Sequence, residues 1–157
     1  MIILCDFDGT VVPKLPESGS TLYDTGAAHV LKKLVDAGHD IVLWTCRNES
    51  PDNPFNYING KLREISSLQE AINWFEDNGI PLKGVNGFEG EESAGIGTSR
   101  KLLADILIDD MAMGTPLKSN LVTYTSYATG DKHIARLSHV DWTKMDHMFK
   151  KAGFYDN

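Results

Sequence analysis

Met1-Ile2-Ile3-Leu4-Cys5-Asp6-Phe7-Asp8-Gly9-Thr10 opens the chain. An apolar segment runs into two carboxylates spaced two residues apart. Ile2 to Cys5 is expected as a first strand that ends where the acids begin. Acids beside buried apolar residues are costly unless something offsets their charge, and a bound divalent cation would do so. Asp109-Asp110 repeats the pattern after the apolar run Ala104 to Ile108. Two strand ends that each stop in paired acids point to one metal site assembled from distant parts of the chain.

Working outward, residues 9 to 25 contain Pro13, Pro16 and several Ser/Thr and read as a loop. Asp24 or Thr25 can cap a helix from about Ala27 to Ala37, whose Ala27, Val30, Leu31, Leu34 and Val35 share one face. Gly38 suits the position after its end. Asp40 to Thr45 reads as a second strand. Its continuous apolar run, Ile41 to Trp44, fits a parallel strand covered on both faces. Residues 47 to 65 are irregular and polar. Ser67 with Glu70 reads as a capping box opening a second helix with an apolar stripe of Leu68, Ala71, Ile72 and Phe75. Leu82 to Asn86 is a weaker third strand, 87 to 98 a Gly- and Glu-rich mobile loop, Ser99 to Ala104 at most one helical turn, and Asp105 to Ile108 a fourth strand. Leu121–Tyr127 and His133–Leu137 form a candidate hairpin, residues 121–137. Asp141 can cap a last helix, 142–152, with Trp142, Met145 and Phe149 on its core face.

Alternating strands and helices imply an α/β fold: a Rossmann-like, three-layer α/β/α arrangement with a mostly parallel central sheet, in one domain spanning 1–157. A chain of 157 residues suffices for one domain with a real core. The net charge of −7 argues against a broad polyanion-binding surface. No apolar run approaches the roughly 20 residues of a membrane span, and no basic segment precedes the first apolar run, so neither a membrane anchor nor a signal peptide is expected. The two cysteines, Cys5 and Cys46, form no CxxC pair, which suits a reduced cytoplasmic setting. Cys46 is expected as a small buried apolar residue.

In open sheets of this kind the ligand lies beyond the carboxyl ends of the strands, at the switch point beside the first strand. Asp6 and Asp8, Thr45, and Asp109 and Asp110 would converge there. Their hard oxygens suit Mg2+ more than zinc. An Asp at a strand end can also be a nucleophile toward phosphorus. Thr45 can hydrogen-bond a phosphoryl oxygen, Lys101 or Arg100 can neutralise it, and Gly9 lets backbone amides approach closely. Asp8 can protonate the leaving oxygen and later activate water.

Asp6-Phe7-Asp8-Gly9-Thr10-Val11 resembles the first motif of the haloacid dehalogenase-like phosphohydrolases, DxDG[T/S]. Leu43-Trp44-Thr45 resembles their second motif, Lys101 the third, and Ile106-Leu107-Ile108-Asp109-Asp110 the fourth. The resemblance covers about residues 1 to 116 and leaves the C-terminal 40 unexplained. It implies Asp6 as nucleophile and metal ligand, and Asp8 as general acid/base with its backbone carbonyl on the metal. It implies Thr45 and Lys101 on the phosphoryl group, and Asp109 and Asp110 as ligands of Mg2+. Gly9, Thr10, Cys46 and Arg47 are expected beside the substrate. The intervals between motifs leave room only for a minimal or absent cap. The loop from Asn48 to Arg63 could lie over the site, with Asn48, Tyr57 and Lys61 as further contacts.

The leading expectation is a magnesium-dependent phosphomonoester hydrolase working through an aspartyl-phosphate. Its partner would be a small phosphorylated metabolite or nucleotide, with a nucleic-acid terminal phosphate less favoured by the net charge. A two-metal phosphodiesterase or nuclease is an alternative. So is a silent phosphate- or metal-binding protein. A receiver-like signalling domain fits poorly, because its phosphorylated Asp should end the middle strand and here the third strand ends in Asn86. Tyr124, Tyr127 and the hairpin are open to use as a homo-oligomer contact.

Overall fold

The computed structural model describes residues 1–89 and 102–156. Four strands form an all-parallel sheet: β1 (Ile2–Cys5), β3 (Asp40–Leu43), β6 (Leu82–Val85) and β7 (Ile106–Ile108), in the order β6-β3-β1-β7. Cys5 pairs in register with Leu43 on one side and Ile108 on the other. The chain therefore reverses direction across the sheet at β1, which puts the ends of β3 and β7 on either side of Asp6.

The helices are α1 (Ala27–Asp36), α2 (Ser67–Asp77) and α3 (Trp142–Lys151). All three contribute to one apolar cluster with the sheet face formed by Ile3, Cys5, Ile41, Leu43 and Ile108. Val30, Leu31 and Leu34 come from α1, Ala71 and Phe75 from α2, and Trp142, Met145 and Phe149 from α3. The opposite face, with Leu4 and Val42, packs against Leu102, Phe88, Trp44 and Ala104. Among the described residues, then, helices cover one face, and the expected second helical layer is not among them. The mixed α/β class and the parallel sheet are as expected.

A second, antiparallel sheet joins β2 (Gly19–Ser20), β8 (Leu117–Ser126) and β9 (Lys132–Val140) in the order β2-β8-β9. It corrects two expectations. The loop of residues 9 to 25 contains a strand, and the hairpin is longer than 121–137, because Val140 at its end sinks into the main core while Val122, Tyr124 and Leu137 form a small core with Leu15 and Tyr23. Tyr124 and Tyr127 are buried within the chain. A short two-stranded ribbon, β4 (Tyr57–Ile58) with β5 (Lys61–Leu62), completes the fold.

The caps also differ in detail. Ser66, not Ser67, caps α2 by accepting from the Gln69 N–H. The residue at the start of α1 is Gly26, with Asp24 and Thr25 accepting the N–H groups of Gly26 and Ala27. Asp141 caps α3 through the Lys144 N–H as expected. The mobile loop expected over 87–98 and the turn from Ser99 lie mostly outside the described residues.

Candidate functional site

The site begins where β1 stops. The Asp6 N–H donates to the Ile108 carbonyl, extending the β1–β7 pairing by one residue. The chain then wraps around Phe7, whose carbonyl accepts from Thr10, Val11 and Val12. Phe7 is buried against Trp74 and Phe75. An apolar residue between two acids thus anchors the loop in the core.

Asp6, Asp109 and Asp110 each bring a carboxylate oxygen within 4.8 Å of the other two. Three features hold them so. The Thr10 hydroxyl donates to Asp6 Oδ2 at 2.9 Å and accepts from the Asp110 N–H at 2.9 Å, tying the two strand ends together. Asp109 Oδ1 accepts from the Met111 N–H. Gly9 leaves the space that Asp110 fills: a Cβ on Gly9 would meet Asp110 Oδ2 at 2.7 Å. Burial, above all, pushes the Asp6 carboxyl up to about 6, opposed by hydrogen bonds from Phe7 and Thr10 and reinforced by the charges of Asp109 and Asp8. Lys14 Nζ lies 3.1 Å from Asp110 Oδ2 and is a cation at the site that sequence reasoning did not single out.

One expected role changes here, and one acid stands apart from the other three. Thr10 is fully buried, with its hydroxyl spent on Asp6 and Asp110, so it organises the acids and does not face a substrate. The Asp8 side chain is not in the acid cluster. Both of its oxygens accept from Arg47, Nε to Oδ2 at 2.8 Å and Nη2 to Oδ1 at 2.7 Å. This is a bidentate, charge-assisted pair.

Arg47 was expected beside a substrate, yet it is buried at 6 % exposure. Its Nη1 donates to Glu70 Oε2 at 2.7 Å and to the Ser67 carbonyl at 3.2 Å, and its guanidinium lies over the Phe7 ring. Burial is the largest influence on Arg47 and pulls its pKa down, but the bonds and charges of Asp8 and Glu70 outweigh it and raise it. Glu70 also accepts from Arg63 at 2.9 Å and from the Tyr127 hydroxyl at 2.6 Å. Burial would raise the Glu70 pKa, and these donors together hold it below its ordinary value. Glu70 therefore serves two arginines and a tyrosine instead of a capping box. Arg63, Glu70 and Tyr127 were not among the expected site residues.

Thr45 lies just past β3, half-buried, where its hydroxyl accepts from the Arg47 N–H and its own N–H donates to Asn86 Oδ1. Asn86 holds a positive φ of 52° at the end of β6 and is a further residue the sequence did not flag. Cys46 is exposed, not buried, with a free thiol. Lys101 and Arg100 lie outside the described residues. The loop after Arg47 is braced by buried Asn56, which accepts from the Ser67 N–H and donates to the Ser50 carbonyl. Asn48 is used within this loop, accepting from Ser50 and Asn53, while Tyr57 and Lys61 are exposed.

The C-terminal segment grips the acidic loop from behind. The Val140 N–H donates to the Gly9 carbonyl, the Lys14 N–H to the Ser138 carbonyl, and buried Trp142 Nε1 to the Thr10 carbonyl at 2.9 Å.

No family model matches the chain, and no curated protein matches it. Among solved structures it is similar to a conserved protein from Bacteroides thetaiotaomicron, at 26% sequence identity and a TM-score of 0.55, over 100% of this chain and 98% of that one. No helix among the described residues is long and apolar enough to cross a membrane.

Proposed function

We propose that this chain is a magnesium-dependent phosphoryl hydrolase of the haloacid dehalogenase-like type, releasing phosphate from a small phosphorylated metabolite or nucleotide through an aspartyl-phosphate on Asp6. One observation carries this reading: Asp6, Asp109 and Asp110 converge at the ends of neighbouring parallel strands while Asp8 is held apart by Arg47. The donor set fits the ion. It offers three hard carboxylates in mutual reach, beside a glycine where a Cβ would displace one of them.

Asp6, Asp109 and Asp110 would hold the cation, which when bound neutralises the repulsion between Asp6 and an incoming phosphoryl group. The Asp6 carboxylate, steadied by Thr10, attacks phosphorus as the bond to the leaving oxygen breaks. Asp8, whose two oxygens both accept from Arg47, must free one of them to carry the proton that it gives to that oxygen and then recovers from the water attacking the phosphorus of the aspartyl-phosphate. Inorganic phosphate leaves and Asp6 is restored. Thr45, with Lys101, would receive the phosphoryl oxygens. The same reading carries a helical layer on the second sheet face, a minimal cap in the braced loop after Arg47, and a reducing cytoplasmic setting that suits the two free thiols.

A two-metal phosphodiesterase is less well supported, because among the described residues only three carboxylates, those of Asp6, Asp109 and Asp110, lie in mutual reach. The test is phosphate release from p-nitrophenyl phosphate with and without Mg2+. Metal-dependent release that Asp6→Asn abolishes supports the reading. Cleavage confined to bis(p-nitrophenyl) phosphate would replace it with the phosphodiesterase.

A further inference from the structure

We infer that the β2-β8-β9 sheet is a working part of the site, because its Tyr127 sets the position of Asp8 through an unbroken hydrogen-bonded chain, Tyr127–Glu70–Arg47–Asp8. The inference rests on the hydrolase reading for what Asp8 does, but the chain itself rests on geometry. Each link is short: 2.6 Å from the Tyr127 hydroxyl to Glu70 Oε1, 2.7 Å from Arg47 Nη1 to Glu70 Oε2, and 2.7 and 2.8 Å from Arg47 to the two oxygens of Asp8. Tyr127 and Arg47 are both buried. The links are charge-assisted, which makes them short and directional, and their centre, the Arg47 guanidinium, is buried.

Position in the fold makes Tyr127 the outer tether. It follows directly on β8, and its own N–H donates to the Ser18 carbonyl beside β2, so the second sheet fixes its backbone. Arg63 stacks over its ring, with the guanidinium carbon 4.5 Å from the ring centroid, and also binds Glu70. A cavity of about 120 Å³, lined by Phe7, Leu15, Ser20, Arg47, Glu70 and Trp74, opens beside the chain. Without the Tyr127 bond Glu70 Oε1 keeps Arg63 alone, and the cavity gives its carboxylate room to shift and carry Arg47 and Asp8 with it. Tyr127, Glu70 and Arg47 are positioning residues. They act through Asp8 and touch no substrate themselves.

Tyr127→Phe removes one oxygen and keeps the ring, so it tests the tether without emptying the site. Tyr155→Phe is the control, since Tyr155 donates in the same way to Asp146 on α3. With Mg2+ present, Tyr127→Phe should lower kcat for phenyl phosphate about tenfold, within the range for a displaced proton-transfer group. The loss should be smaller for p-nitrophenyl phosphate, whose leaving group needs less help. KM and inhibition by inorganic phosphate should stay as in the wild type. Tyr155→Phe should leave kcat unchanged on both substrates. An unchanged kcat in Tyr127→Phe, or an equal loss on both substrates, overturns the inference and leaves the hydrolase reading standing. Absence of metal-dependent release in the wild type overturns both.

Discussion

Replacing Gly9 by alanine separates backbone strain from the geometry of the acid cluster. Gly9 sits at φ +89°, where a side chain costs about 1–2 kcal/mol. The new Cβ would also lie 2.7 Å from Asp110 Oδ2 and 2.8 Å from Asp110 Cγ. Those atoms end a side chain, so Asp110 can relieve the clash by rotating its carboxylate away, and the fold need not absorb it. Gly38 is a matched control, at φ +85° with nothing within 4 Å of its Cβ. Gly9→Ala and Gly38→Ala should therefore lose similar stability, about 1–2 kcal/mol, or roughly 2–8 °C in Tm for a chain of this size. Only Gly9→Ala should lose Mg2+ affinity, by about tenfold or more, because one of three carboxylates has turned out of the cluster. Urea unfolding measures the first quantity and calorimetric titration with MgCl2 the second. Unchanged Mg2+ affinity in Gly9→Ala would refute the assignment of Asp110 as a ligand. A much larger stability loss than in Gly38→Ala would show that the backbone, not Asp110, takes up the clash.

Further predictions concern groups around the same loop. The Asp6 carboxyl stands at about 6 in the folded protein against an ordinary 3.8, so its stabilising contribution is present below about pH 4 and is lost as pH rises through about 6. Without metal, Asp6→Asn should therefore be more stable than the wild type at pH 7 and above, with the gap closing toward pH 4 in urea unfolding. Glu70 is held below its ordinary 4.5, so its contribution is present above that value and is lost as pH falls through the lowered one. Glu70→Gln should cost about 2–3 kcal/mol at pH 7, since it leaves buried Arg47 and its neighbour Arg63 short of a partner, and the deficit should narrow in acid. Trp142→Phe keeps the ring in the core but orphans the buried Thr10 carbonyl. A loss of about 1–3 kcal/mol in urea unfolding is expected.

The parallel sheet was legible because β1, β3 and β7 are built on apolar runs, while β6, Leu-Lys-Gly-Val, gave the weaker signal. The meeting of Asp6 with Asp109 and Asp110 followed from strand order at the switch point, a rule of topology that needs no side-chain detail. Other assignments depended on partners distant in sequence. Arg47 reads as a polar residue at a strand end, and nothing local reveals that Asp8 and Glu70 flank it 39 and 23 residues away. With those partners it becomes a buried charge. Glu70 fits a capping box by spacing, but two arginines and a tyrosine compete for it more strongly than a helix N–H. The tandem Ser66-Ser67 is the one local sign that the cap could sit one residue earlier. Strand β2 is two residues long and exists only through its pairing with β8, which no local pattern encodes.

The claim on which the account turns is that Asp6 takes up the phosphoryl group. The most direct measurement is to quench the protein in acid during turnover of p-nitrophenyl phosphate with Mg2+, reduce with borohydride and map the peptides. An aspartyl-phosphate is reduced to homoserine, whereas a free carboxylate is untouched. The account predicts homoserine at position 6, dependent on both substrate and Mg2+. Turnover with no reducible carboxyl, or reduction at Asp8, Asp109 or Asp110 instead, would contradict it.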